Sequence, residues 1–148
     1  MSAADARVHW ASVTLRAGLA FIWIYEGLVP KLLAPLTEME RAVVAASGLV
    51  PNGIEQPFIR GLGVLEILLG VLVACGVWLR PLCVVQAGVV GLFTVIIPVT
   101  HPTILSHPFG LLTKNVPILA AIVALWLLSR DRPDAASDSG TTERPGSR

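Results

Sequence analysis

The stretch Gly61–Leu79, GLGVLEILLGVLVACGVWL, decides the fold. A bilayer takes about 20 mostly apolar residues to cross as a helix, and this stretch is long and apolar enough to do so while holding one carboxylate, Glu66. A second acid, Glu26, has a similar setting in GLAFIWIYEGLV at 18–29. An ionisable group in hydrocarbon is costly unless partnered, so a chain that keeps two of them has a use for them.

Composition extends this reading to the whole chain. Hydrophobic residues make up 54% and charged ones 14%, with a mean hydropathy of +0.73; a soluble domain of this length could not hide so much apolar surface. The expectation is an all-α protein, a four-transmembrane-helix bundle over residues 10–129 with spans at about 10–29, 58–79, 82–99 and 111–128. The first span is weakest because Arg16 and Glu26 fall inside it, and an interfacial amphipathic helix is its alternative. Residues 1–9 form an N-terminal segment. After Arg130 the sequence DRPDAASDSGTTERPGSR is too polar to fold, so 130–148 reads as a disordered tail.

A net charge of +1 provides no basic stripe for phosphates and argues against nucleic acid as a partner. The start, MSAADARVHW, has an acidic residue and no short apolar core before a cleavage site, so the first helix is expected to be retained. Cys75 and Cys83 make no C-x-x-C and read as packed thiols at the ends of a turn. There is no internal repeat.

The first loop, Pro30 to Pro57, is the long one. Thr37-x-x-Glu40 reads as a capping box opening a short helix through Ala46, with Gly48 as its stop. Leu36, Met39, Val43 and Val44 set against Glu38, Glu40 and Arg41 make this helix amphipathic, a lid on the bundle mouth.

An even helix count puts both termini on one side, with Arg7, Arg16, Arg80, Arg130 and Arg132; Lys31, Arg41, Arg60 and Lys114 lie opposite. The excess of positive charge favours cytoplasmic termini in a bacterial cytoplasmic membrane. Trp10, Trp78 and Trp126 would form a belt at the terminal-side interface. Glu66 lies twelve positions before Trp78 and Lys114 twelve before Trp126, so at about 1.5 Å per residue both sit about 18 Å from that belt. If helices two and four are neighbours, acid and base meet there. Glu26, Lys31, His101 and His107 then belong to the far rim, while Gln86 and Arg16 lie toward the terminal side. Gly63, Glu66, Gly70 and Ala74 give helix two a small-residue stripe, for which Ala87, Gly91, Ala120 and Ala124 offer partners, so Glu66 faces protein and not lipid. Pro117 removes a backbone donor beside Lys114 and Asn115, which makes that region polar.

Three segments together resemble a known family. R-x-G-L-x-F with E-G-L-V-P-K-L-L (Arg16 to Leu33), G-x-x-E-x-x-x-G (Gly63 to Gly70) and H-P-F-G-L-L-T-K-N-x-P (His107 to Pro117) look like the DoxX and DoxX-like membrane proteins. The resemblance implies a four-helix bacterial membrane protein. The family's namesake is a subunit of a thiosulfate:quinone oxidoreductase that works with a second subunit, and other relatives are linked to oxidative-stress complexes. Arg16, Lys31, Glu66, Lys114 and Asn115 match the pattern, which certifies none of them as catalytic.

Two classes of function follow. In the first, the chain is a membrane accessory subunit of a quinone-linked redox system: Lys114, Asn115, His107 and Lys31 would bind the head group, and Glu66 and Glu26 would exchange its protons. With no haem-ligand pairing or iron–sulfur cysteine run, no intrinsic cofactor is evident and a redox partner protein must supply the electrons. In the second, the chain is a scaffold, or a carrier that would have to dimerise, and the charges serve assembly. Each residue also has a blander reading: a register-fixing pair for Glu66 and Lys114, snorkelling toward water for Glu26 and Lys31, a helix-to-helix bond for Asn115, an interfacial place for His9. His101-Pro102 and His107-Pro108 lack a third ligand, so no metal is expected.

Overall fold

The computed structural model describes residues 2–33, 41, 44, 45, 48, 50, 51, 53–100, 102 and 111–129. Four helices run through them: α1 (Ala3–Leu28), continued by a π-helical turn (Val29–Leu33), α2 (Glu55–Cys75), α3 (Leu79–Thr100) and α4 (Leu111–Leu128). α1 (with its π turn), α2 and α3 are each long and apolar enough to cross a membrane, and α4 is a shorter apolar helix. The fourth helix lies where the sequence puts it. The others differ at their ends for local reasons.

α1 starts at Ala3 and not near Trp10, so most of the expected N-terminal segment is helix. Ser2 accepts from the Asp5 N–H at 3.1 Å while Asp5 accepts from the Ser2 N–H at 2.8 Å, a reciprocal cap that satisfies two otherwise orphaned donors. α2 stops at Cys75 because Gly76 takes a left-handed φ of 74°, and the Gly76 and Val77 N–H groups fold back onto Val73 and Leu72 carbonyls. A turn of only three residues then leads into α3. In the first loop, Arg41, Val44 and Ala45 are helical and Gly48 has a φ of 65°, while the Thr37–Glu40 capping box lies outside the described residues.

Packing follows chain order around a ring. α1 packs most closely on α2 and also on α4, α4 packs on α3, and the α2–α3 seam is thin. α1 therefore stands between α2 and α4, which do not pack along each other as the shared level of Glu66 and Lys114 suggested. An apolar core of Leu19, Trp23, Val73, Cys83, Ile122 and Leu125 fills the terminal half. Phe21, Leu65, Val84, Val95 and Val116 point outward and are exposed. Such an exterior suits lipid and would be a liability in water.

The α1–α2 contact is set by glycines. A Cβ on Gly63 would come 2.7 Å from the Gly27 carbonyl oxygen, and one on Gly70 would come 2.8 Å from Ile24 and 3.0 Å from the Ala20 carbonyl oxygen. A Cβ on Gly27 would strike the Gly63 carbonyl. The small-residue stripe on α2 is thus real, but its partner is α1 and not α3 or α4. Its fourth member is Val73, which is buried, whereas Ala74 is exposed.

Candidate functional site

Pro30 begins the site. It has no N–H to return to the carbonyl of Glu26, four residues back, and the helix widens into the π turn there. The Glu26 carbonyl instead accepts from Lys31 Nζ at 3.1 Å. This draws the Lys31 side chain inward across the glycine seam, where its ammonium meets Glu66 Oε2 at 2.5 Å. The snorkelling reading of Lys31 is therefore corrected.

Glu26 turns to a different partner. Its Oε1 lies 2.7 Å from Lys114 Nζ on α4. The expected Glu66–Lys114 pair is thus replaced by two crossed pairs, Lys31–Glu66 and Lys114–Glu26, although Lys114 and Glu26 both remain within Coulombic range of Glu66. The pairs differ in depth. Side-chain exposure is 17% for Lys31 and 9% for Glu66, against 47% for Lys114 and 32% for Glu26. One pair is internal and the other forms its rim, so charge runs in steps from the bundle interior to its mouth.

Next to this cluster, buried Asn115 on α4 donates to Thr94 Oγ1 at 2.7 Å, and Thr94 Oγ1 donates to the Val90 carbonyl at 2.5 Å. The helix-to-helix reading of Asn115 stands. One step further toward the termini, Trp23 Nε1 donates to Gln86 Oε1 at 2.8 Å, while Gln86 Nε2 is buried without a partner. Because the indole can only donate, the amide orientation is fixed.

Arg16 has a separate task. Its Nε donates to the Val73 carbonyl at 3.1 Å and its Nη2 to the Ala74 carbonyl, so α1 places a cation on the negative end of the α2 dipole. A Cβ on Gly76 would fall 2.6 Å from Arg16 Cζ. Sequence reasoning missed this clasp, and Gly76, three residues beyond Val73 and two beyond Ala74, was its local signal. His101 and His107 lie outside the described residues. Cys83 is buried and Cys75 exposed, both as free thiols.

Fold and site together define a small multi-pass membrane protein whose helices are tied at one end by crossed Glu–Lys pairs. Residues 20–123 match the model of the DoxX-like family, more than half of the chain, and the protein belongs to that family. Comparison with curated proteins and with solved structures gave no match.

Proposed function

We propose that the chain is the membrane accessory subunit of a quinone-linked redox system, with the Glu–Lys cluster as its head-group and proton site. The observation that carries this reading is the step in depth from the internal Lys31–Glu66 pair to the half-exposed Lys114–Glu26 pair. Reduction of a quinone takes two electrons and two protons. The electrons come from a partner protein; the protons enter from water at the mouth through Glu26, with Glu66 behind it as a second acid. Protonating Glu26 releases Lys114, whose ammonium is then free to donate to the quinone carbonyl. Binding and proton delivery are thereby coupled. Asn115 and Lys31 hold the wall of the site, and His107 belongs to the same end in sequence. The resemblance to a thiosulfate:quinone oxidoreductase subunit supports the choice of quinone. The Lys and Arg distribution supports cytoplasmic termini in a bacterial inner membrane.

A scaffold role is the second reading, and one observation favours it: both acids are satisfied within the chain and together tie α1, α2 and α4. Purification from native membranes separates the two. Extractable quinone, a copurifying redox protein and quinone-dependent turnover that falls in Glu26→Gln support the first. A copurifying protein with no quinone, and turnover indifferent to Glu26→Gln, would establish the scaffold.

A further inference from the structure

The opposite end of the bundle holds a cavity of about 700 Å³ that the Glu–Lys cluster leaves unused. It lies between the first turns of α1, the α2–α3 turn and the end of α4, with His9 and Ser12 on one wall, Arg80 on another and Ser129 on the third. Leu79 and Leu128 supply apolar surface beside them. Beneath its Gly76 floor sits the Arg16 guanidinium. At its edge Trp78 is 80% exposed, held outward by a left-handed backbone with φ of 46°, a conformation a bulky residue adopts only when its surroundings impose it. An exposed indole at a helix end marks the membrane–water boundary.

We propose that this cavity is a binding site for the head group of an anionic phospholipid. Arg80 on the wall and Arg16 beneath Gly76 provide two positive charges, and the Ser12 hydroxyl and His9 can donate to phosphate and glycerol oxygens, whereas the Ser129 hydroxyl donates to the Leu125 carbonyl at 2.7 Å. The acyl chains leave along the exposed apolar flanks of α1 and α3. Asp5 also lines the cavity, but its carboxylate is engaged by the Ser2 backbone N–H and does not cancel both arginines. Arg80 makes no ion pair among the described residues. Basic pockets between transmembrane helices select anionic head groups in this way, and Trp78 fixes the depth at which such a head group lies. The proposal does not depend on the quinone reading, since it uses none of the same residues.

Full-length protein in nanodiscs of mixed phosphatidylglycerol and phosphatidylcholine tests it, with the lipids retained on release into detergent measured by native mass spectrometry. The wild type is expected to retain phosphatidylglycerol selectively. Arg80→Gln should lower that selectivity about fivefold, the worth of one surface cation toward an anionic lipid, whereas Arg60→Gln, an exposed cation on α2 away from this cavity, should leave it unchanged. Equal retention of the two lipids by the wild type, or undiminished selectivity in Arg80→Gln, would overturn the proposal. So would displacement of the bound lipid by inorganic phosphate at equal concentration, which would mark a free-anion site.

Discussion

Lys31 and Lys114 carry the same charge and differ in what surrounds it. Removing one partner of an internal ion pair strands the other in a low dielectric, at a cost of about 3–5 kcal/mol; a half-exposed pair is screened and contributes about 0–1 kcal/mol. Lys31→Ala or Glu66→Ala should therefore lower thermal stability in detergent sharply, and Lys114→Gln or Glu26→Gln hardly at all. Replacing both Lys31 and Glu66 by Met should recover most of the loss, because no charge is then left alone. Equal losses at the two pairs would contradict the depth assignment. Both acids and Lys114 were legible in the sequence as charges inside apolar stretches, and Lys31 as a cation at the rim, but their pairing was not. Position along a helix gives height, whereas the choice of partner depended on the side chain of Lys31 being turned inward at Pro30.

At the scale of the elements, the α1–α2 seam sets everything else. Gly63→Ala would drive a methyl group toward the Gly27 carbonyl and the Lys31 Cβ, 2.7 and 2.9 Å away, and so part the helices at the level where Lys31 reaches Glu66. The expected outcome is a marked loss of accumulated, folded protein in membranes. Gly88→Ala is the matched control, because a Cβ there meets nothing within 4 Å. Gly76→Ala should also destabilise, by about 1–2 kcal/mol for its left-handed backbone and further through contact with Arg16, as read from the unfolding midpoint. If Gly63→Ala and Gly88→Ala behave alike, the seam does not control assembly. The three long apolar helices and the shorter fourth were readable because hydrophobic length alone declares them, and α4 covers the residues where an apolar helix was expected. Neighbour choice was less readable: the stripe on α2 announced close packing but could not say which helix filled it. The early start of α1 was present in the sequence as Ser2-Ala-Ala-Asp5, a weak signal beside a long apolar run.

For the molecule as a whole, the two ends of the bundle divide the work, with apolar packing and the Arg16 clasp near the termini and paired charge at the far mouth. Trp23 lies in the interior of α1, three residues before Glu26, which gives the site its own reporter. The most direct test is a titration of purified protein with a short-chain quinone analogue, read by tryptophan fluorescence, in the wild type and in Lys114→Gln. Saturable quenching in the wild type is predicted, weakened about tenfold or more in the variant by loss of a charged hydrogen-bond donor, while the unfolding midpoint stays put. Quenching that rises linearly without saturation, or that is identical in the two proteins, would contradict a quinone site at the Glu–Lys cluster.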